Sequence, residues 1–421
     1  MRWLMIFWIF VISATAYLDR VNISIAARSI ATEFHIDNVH LGWIFSSFVL
    51  GYALFQAPAG MLADRIGPRR ALTLGVVWWG VFTALLTVIS PSVTALLAVV
   101  MGMRFLLGVG EAVVYPASNC VVASWVPSAE RGIANGFIFA GVGCGAGVTP
   151  PLIAYVMSHH GWRAAFWVSA GIGLAVGAVW WVIARDKPEQ HPWISVEERE
   201  IIAQGLPRDS EKTKARPTSW SIIFRNRDIM AVTLSYFAYG YAAYIFFSWF
   251  FIYLSEVRGF NLRQGSYYTM LPFLAMAVAS PLGGWISDRV MKRRGKWPGR
   301  CGVAIAGMGL AALFIGMGTL VENAQLASIV LAGGAGALYL SQSSFWSVSA
   351  DIGGVAAGSV SGVMNMGGQF GAALTASLTP AIANHFGWNA SFLVAAALCG
   401  CGAVLWMSVN PESKLKEQNL A

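Results

Sequence analysis

The chain has 421 residues, 57% of them hydrophobic and only 11% charged, with a formal net charge of +8. This composition excludes a soluble globular protein of comparable length and indicates a membrane protein that crosses the bilayer many times. The positive charge is typical of cytoplasmic loops rich in lysine and arginine, so we expect the lipid bilayer as a partner and no nucleic acid.

Twelve apolar stretches follow one another along the sequence, and each has about the 20 residues that a helix needs to cross the hydrocarbon. Helices are expected because every backbone group in the bilayer must find a partner within its own segment. The stretches cover residues 3–31, 41–63, 71–90, 95–125, 133–157, 162–184, 229–256, 265–288, 301–321, 326–350, 355–383 and 388–409.

The N-terminus allows a second interpretation. Arg2, the apolar run after it and the segment Ala14-Thr15-Ala16 resemble a signal peptide with its cleavage site. Cleavage would remove half of the first span, so we favour an uncleaved first helix.

The first span contains a charged pair, Asp19 and Arg20, and the fourth span contains another, Arg104 and Glu111. A charge within the hydrocarbon costs about 2.5–3.5 kcal/mol on insertion scales, so these side chains must face water or one another. Arg104 and Glu111 are two helical turns apart and therefore share one face of their helix. We expect the four charges to line a central cavity that binds an organic anion and a proton.

Basic residues concentrate in loops on one predicted side of the membrane. They lie in the turn at residues 64–70, in residues 288–296, in the segment 185–228 and in the tail, which carries Lys414 and Lys416. The positive-inside rule places these loops and both termini in the cytoplasm.

The segment 185–228 is a long polar linker that divides the chain into an N-terminal six-helix bundle, residues 1–184, and a C-terminal six-helix bundle with a short tail, residues 229–421. Within the linker, Ser195 followed by acidic residues in the next turn is typical of a helix start. We expect a short amphipathic helix on the membrane surface there, in a connector without chemistry of its own. The predicted fold class is an all-α membrane protein with twelve transmembrane helices in two pseudo-symmetric six-helix bundles.

The two halves share a repeat. Residues 60–65 and residues 284–289 both read Gly-x-x-x-Asp-Arg, after a shift of 224 residues. The same shift aligns the charged residues Asp19, Arg104 and Glu111 with the uncharged residues Ala243, Ser328 and Ala335. We therefore expect the N-terminal half to bind the anionic head of a substrate, and the neutral polar groups of the C-terminal half to bind a hydroxylated body.

The loop after the second span resembles the signature loop of the major facilitator superfamily, and its defining positions are Gly60, Asp64, Arg65, Gly67, Arg69 and Arg70. The segment Tyr17–Ser24 in the first span, with Arg104 and Glu111 in the fourth, makes the chain similar to the anion:cation symporter family. That family includes bacterial galactonate, glucarate and hexuronate carriers and the sialin-type transporters. The resemblance covers essentially the whole chain. It implies the major facilitator fold and a gating role for the signature loop and for its counterpart at Asp288 and Arg289.

The charge pattern and the resemblance together give candidate roles. Arg20 is expected to hold the substrate carboxylate, because a guanidinium binds a carboxylate through two hydrogen bonds and stays charged. Glu111, with Asp19 sharing the role, is expected to carry the coupling proton. Arg104 is expected to pair with Asp19 or Glu111 in one state, which leaves Arg20 free to face the cavity; a purely structural role for Arg104 is the alternative. The resemblance and the polar groups of the spans add further candidate substrate contacts: Tyr17, Tyr52, Arg104, Tyr241, Ser343, Trp346 and Asn365.

These observations favour a secondary active transporter that imports a sugar acid (a hexonate, hexuronate or aldarate) by proton symport through alternating access. A carrier of aromatic or small dicarboxylate anions, and a non-transporting membrane sensor on the same fold, are the alternatives. The sequence has no motif of an enzyme active site or a phosphate loop, so we expect no catalysis, no metal and no cofactor besides the proton. We expect a monomer in the bacterial inner membrane.

Overall fold

A computed structural model of the chain describes residues 1–93, 95–127, 131–205, 220–353 and 357–413. This part of the chain is helical and contains no β-strand. Its helices are α1 (Arg2–Phe34), α2 (Asn38–Ile66), α3 (Pro68–Leu85), α4 (Leu96–Glu111), α5 (Val114–Trp125), α6 (Arg131–Ile183), α7 (Val196–Gly205), α8 (Trp220–Arg225), α9 (Arg227–Ser248), α10 (Phe250–Glu256), α11 (Leu262–Arg294), α12 (Val303–Leu320), α13 (Ala324–Leu340), α14 (Gln342–Gly353), α15 (Ala357–Phe386) and α16 (Trp388–Met407).

The predicted helical membrane fold is confirmed. Within the described ranges, ten helical segments are long and apolar enough to cross a membrane. One of them lies in the 53-residue α6, which is broken at Gly161 (φ 79°, ψ 172°) into two pieces that are each long enough to span. The 30-residue α15 is also long enough, so the helices accommodate the twelve predicted spans.

Contacts within the chain define two compact units. The first comprises Met1–Glu211 and Phe247–Met270, and the second comprises Lys212–Phe246 and Leu271–Ala421. In the first unit the ring of Phe247 lies 5.4 Å from that of Tyr17 in α1. The end of the seventh predicted span therefore packs with the first span.

The linker helix predicted after residue 195 is present as α7. The Ser195 hydroxyl accepts a hydrogen bond from the Glu198 amide (3.2 Å), which satisfies one of the free N–H groups at the helix start. The Glu198 carboxylate in turn accepts a hydrogen bond from the Arg2 amide (2.9 Å), so the linker helix is attached to the start of α1. Residues 206–219 of the predicted linker lie outside the described ranges.

The predicted repeat of the two halves begins in the expected register. α2 and α11 start 224 residues apart, at Asn38 and Leu262. However, α11 has 33 residues and α2 has 29, so the helices that follow are displaced further.

The fourth and tenth spans show this displacement. Helices α4 and α5 begin at Leu96 and Val114, and helices α13 and α14 begin 228 residues later. The predicted pairing of Arg104 and Glu111 with Ser328 and Ala335 is therefore wrong by four residues. By helix bounds their counterparts are Ala332 and Tyr339, which are also uncharged.

A second repeat, which the sequence analysis did not find, lies before the sixth and twelfth spans. Gly161-Trp162 and Gly387-Trp388 occur 226 residues apart. Both glycines have positive φ angles, 79° and 85°, and each ends one helical segment and lets the chain reverse into the next.

Candidate functional site

Close packing of helices in the first unit brings the charged residues together. A Cβ atom at Gly108 of α4 would collide with the backbone carbonyl of Phe48 in α2, and one at Gly51 of α2 would collide with the carbonyl of Phe105. Glycine on each helix therefore allows the two backbones to touch, as small residues do between membrane helices. A similar contact between Gly145 of α6 and Ala14 packs α1 against α6.

The four charged residues predicted from the first and fourth spans form one buried cluster. Their exposed fractions are 2% for Asp19, 7% for Arg20, 1% for Arg104 and 0% for Glu111. The Arg20 Nε atom donates a hydrogen bond to Glu111 Oε2 at 2.7 Å. The sequence analysis did not anticipate this pairing, since it left Arg20 free to face a cavity.

An aromatic shell surrounds Arg20. Its guanidinium carbon lies 4.2 Å from the ring centroid of Tyr52, 4.6 Å from that of Tyr17 and 5.2 Å from that of Phe48. The guanidinium of Arg104 lies 4.7 Å from the same Phe48 ring. Tyr17 and Tyr52, both predicted as contacts of a substrate, therefore border the predicted anion-binding arginine.

Several buried polar atoms of the cluster lack hydrogen-bond partners among the described residues. Among the described residues, Arg20 Nη2, Glu111 Oε1 and both carboxylate oxygens of Asp19 have no hydrogen-bond partner. Buried polar atoms without partners are costly and call for a ligand, a water molecule or a proton. The cluster can thus accept an anion at Arg20 and protons at its two carboxylates.

The fourth span is broken beside this cluster. α4 ends at Glu111 and α5 begins at Val114, but Ala112 and Val113 between them keep right-handed helical φ and ψ angles, so the break is a local distortion of one continuous span. In α5 the Tyr115 hydroxyl lies 3.1 Å from Ser13 Oγ, and the Tyr115 ring stacks on Phe139 at 5.0 Å.

The predicted substrate contacts of the C-terminal half lie in the second unit. Tyr241 of α9 is 1% exposed and packs against Gly371 of α15. Ser343 and Trp346 lie in the first turns of α14, and Asn365 lies in α15. Each of the four stays a prediction as a substrate contact.

Polar groups gather where the tenth span is broken. Gln342 begins α14 directly after the break, and its Nε2 atom donates to the Tyr236 hydroxyl at 3.3 Å. Within the described part of the chain, Gln342 Oε1 and the hydroxyls of Ser343 and Ser344 have no hydrogen-bond partner. The two broken spans, four and ten, thus both carry unsatisfied polar atoms at the break.

The signature loop connects α2 and α3. Gly60 packs on Pro116 of α5, with 3.5 Å between an added Cβ atom and the proline Cβ, and Arg65 and Arg70 are exposed. Gly67 has a φ angle of 85°. The side chain of Asp64 lies outside the described part of the structure.

The start of the linker holds this loop in place. The Asp186 carboxylate accepts a hydrogen bond from the Arg69 amide at 2.9 Å and so caps the start of α3. The Arg69 guanidinium donates to the Trp181 carbonyl at 2.7 Å. The His191 ring lies 3.1 Å from the Ile183 carbonyl and is 3% exposed, and burial lowers the pKa of its imidazole.

The counterpart of the signature loop in the second unit is organised differently. Asp288 pairs with Arg300 at 2.8 Å, and Arg300 also donates to the Ser287 hydroxyl at 2.9 Å. Arg289 lies over the Trp285 ring at 5.2 Å. The gating roles predicted for the two loops stay predictions.

Two residues of these clusters, Phe48 and Gln342, were not predicted from the sequence. Phe48 contacts both arginines, and its only signal in the sequence is that it precedes Tyr52 by one helical turn. Gln342 is an amide in an otherwise weakly polar span, a signal that could have been used. Among the described residues, no group of three or more His, Cys, Asp or Glu side chains could hold a metal ion.

Comparison with known proteins adds independent findings. A family model described as Major Facilitator Superfamily matches residues 9–376. A probable sulfoacetate transporter from Cupriavidus necator is 34% identical over 94% of this chain and 91% of its own length. A probable galactarate/D-glucarate transporter from Bacillus subtilis is 31% identical over 69% of this chain and 66% of its own length.

The solved structures show the same fold at lower sequence identity. A bacterial homolog of the human lysosomal transporter Spinster has a TM-score of 0.75 and 16% identity, with 96% of each chain covered.

Proposed function

The chain belongs to the Major Facilitator Superfamily and is a transporter rather than an enzyme, and we propose that it imports an organic anion, foremost a sugar acid, by proton symport. The observation that carries this proposal is the buried ion pair between Arg20 and Glu111. Arg20 Nη2 and Glu111 Oε1 have no hydrogen-bond partner among the described residues, so the pair has room for a third participant.

The proposed coupling is a competition for Arg20. Glu111 accepts a hydrogen bond from the Nε atom of the guanidinium, and in this proposal it does so as an ionised carboxylate. A substrate carboxylate that binds Arg20 through Nε and Nη2 together would displace Glu111 from Nε, and Glu111 would then be a buried anion without its partner. Uptake of a proton by Glu111 removes that cost, so anion binding and protonation favour each other.

Asp19 has a related part in the proposal. Its carboxylate is 2% exposed, and neither of its oxygens has a hydrogen-bond partner in the described residues. Asp19 can therefore store a proton beside Glu111. Because two nearby acids titrate together, the coupling proton belongs to the pair rather than to one residue.

The substrate class is proposed from both units and from the relatives. The first unit offers the arginines for a carboxylate. In the second unit, Gln342, Ser343 and Ser344 have polar atoms without hydrogen-bond partners among the described residues. A relative is named as a probable galactarate/D-glucarate transporter, and both of these molecules combine carboxylates with several hydroxyl groups. Small dianions are the second candidate, because the relative at 34% identity is named for sulfoacetate.

The proposed setting is the bacterial inner membrane. The loops that join α2 to α3 and α11 to α12 are basic, as is expected of loops that stay in the cytoplasm. Both termini would then be cytoplasmic. We propose that the protein functions as a monomer embedded in the lipid bilayer and does not bind nucleic acid.

A binding screen followed by transport tests this proposal. Purified protein is heated with glucarate, galactonate, a hexuronate, sulfoacetate or a neutral sugar at two pH values, and an anion that binds should raise the melting temperature more at the lower pH. In proteoliposomes the same anion should accumulate when the outside is acidic. Binding without any flux would favour the sensor alternative, and no response to any anion would contradict the proposal.

A further inference from the structure

We propose that Phe48 is a positioning residue of the anion site, and that its ring is a shared aromatic platform for the guanidinium groups of Arg20 and Arg104. This inference rests on the proposed function, since it concerns the arginine that is proposed to bind the anion. Phe48 lies in α2, whereas Arg20 lies in α1 and Arg104 in α4.

The geometry places both cations within reach of one ring. The guanidinium carbons of Arg20 and Arg104 lie 5.2 Å and 4.7 Å from the Phe48 centroid. A guanidinium within about 6 Å of an aromatic centroid is attracted by the negative face of the ring. The ring is 1% exposed, so water does not weaken this attraction.

The backbone fixes where the platform stands. Gly108 is one helical turn beyond Arg104 on α4, and its missing side chain lets the carbonyl of Phe48 touch α4. This contact fixes the position of Phe48 along α4, one helical turn from Arg104, so that the Phe48 ring lies against the Arg104 guanidinium. Tyr52, one turn later on α2, stacks on Phe48 at 6.3 Å and lies over Arg20 at 4.2 Å.

A shared ring solves a specific electrostatic problem. Two guanidinium groups in a site of low dielectric constant repel each other strongly. Acids compensate the charge, but Glu111 must leave Arg20 during the proposed cycle. An aromatic face attracts both cations at all stages without offering a proton or a competing carboxylate. The Phe48 ring therefore holds the Arg20 guanidinium in position while the substrate carboxylate replaces Glu111 on it.

A series of fluorinated phenylalanines tests the platform, because fluorine withdraws the negative charge of the ring face with little change of shape. The intact chain is made with 4-fluoro-, 3,5-difluoro- and pentafluorophenylalanine at position 48. The melting temperature without ligand should fall stepwise, by about 2–5 °C over the series, since two desolvated cation–π contacts weaken. The same series at Phe45, which is buried one turn earlier and contacts the Trp249 ring, is the matched control. Fluorination there alters an aromatic contact but no cation–π contact, so the melting temperature should fall less than along the Phe48 series.

Anion affinity provides the second measurement. For an anion that binds the wild-type chain in the screen described above, the dissociation constant should rise tenfold or more along the Phe48 series and should stay constant along the Phe45 series. Phe48→Tyr, which keeps the aromatic face, should retain more affinity than Phe48→Leu, which keeps the bulk.

The outcomes separate the two proposals. Equal melting temperatures along the Phe48 series, or equal trends at Phe48 and Phe45, would overturn the platform. If no anion binds the wild-type chain, the proposed function fails, and the melting temperatures alone decide whether the ring holds the arginines. A stepwise fall of the melting temperature with unchanged anion affinity would overturn the positioning role.

Discussion

Spans four and ten have the same backbone design and different chemistry. Each consists of a longer helix, a short break and a 12-residue helix, α5 or α14. In span four the residue before the break is Glu111, which pairs with Arg20, and in span ten the counterpart of Glu111 is Tyr339. The broken fold therefore does not depend on charge. The buried charges of the first unit need another explanation, and transport of an anion supplies it.

The loops before spans six and twelve, which lie away from the charged cluster, also share a backbone contact and differ in charge. In one loop Arg163 donates to the Thr87 carbonyl at 2.9 Å, and in the other Asn389 donates to the Thr319 carbonyl at 3.3 Å. Arg163 additionally pairs with Glu33 through two hydrogen bonds of 2.7 and 2.6 Å. Here too the repeat preserves the contact, and the first unit adds charge to it.

The largest predicted effect removes the charge on which the comparison rests. Arg20→Ala should abolish detectable anion binding, because truncating one partner of a buried charge pair costs about 2–5 kcal/mol. Arg20→Lys keeps the charge but loses the two-pronged geometry, so it should also bind poorly. Ser343→Ala in the second unit is the control and should lose about 1 kcal/mol, the contribution of one neutral hydrogen bond. Calorimetry on folded protein measures all three, and near-normal affinity in Arg20→Ala would move the carboxylate site elsewhere.

A smaller effect is predicted where the two signature loops differ. Gly67 and Gly295 both have positive φ angles, 85° and 93°, directly after α2 and α11. Alanine at either position should cost about 1–3 kcal/mol of backbone strain. An added Cβ at Gly67 would also lie 2.6 Å from the Asp186 carboxyl atoms, whereas one at Gly295 would meet nothing within 4 Å.

Gly67→Ala should therefore lower the melting temperature more than Gly295→Ala does. The comparison needs both variants in the same detergent, with Asp186→Asn to show how much of the difference belongs to the cap of α3. Equal losses for the two glycine variants would mean that the Asp186 contact does not stabilise the loop.

The smallest predicted effect concerns the loops before spans six and twelve. Glu33→Gln removes the charge that Arg163 meets but leaves a side chain of the same shape. Both side chains are about one-third exposed, so the expected loss is about 1 kcal/mol and should shrink at high salt. Asn389→Ala in the second unit should cost a similar amount without any dependence on salt, because its hydrogen bond is neutral. Melting curves at two salt concentrations distinguish the two, and a salt-independent loss in Glu33→Gln would argue against the ion pair.

Much of this architecture could be predicted from the sequence. Apolar length predicted the spans, and the intramembrane charges predicted the buried cluster, because both follow from the cost of polar groups in hydrocarbon. Serine followed by acids predicted the start of α7. These are local signals, and each is read within one or two helical turns.

The partners of the charged residues could not be predicted in the same way. Which acid meets Arg20 depends on the depths at which α1 and α4 lie. α4 touches α2 at Gly108 and α1 touches α6 at Gly145, so these depths involve helices other than the two that carry the charges. The four extra residues of α11 shifted the repeat register, which a single constant offset could not show. Phe48 was missed because a phenylalanine in an apolar helix looks like any other core residue until its neighbours on other helices are known.

The central claim is that a substrate carboxylate and Glu111 compete for Arg20, so that anion binding draws a proton onto Glu111. The most direct measurement is the pH change of a weakly buffered solution of the protein when a bound anion is added. We predict that the wild-type chain takes up protons as the anion binds, about one for each anion if Glu111 is fully ionised beforehand. Glu111→Gln should bind the anion with much less proton uptake, because Asp19 is then the one acid of the pair that is left to take a proton. Binding to the wild type without proton uptake, or equal uptake by Glu111→Gln, would contradict the claim.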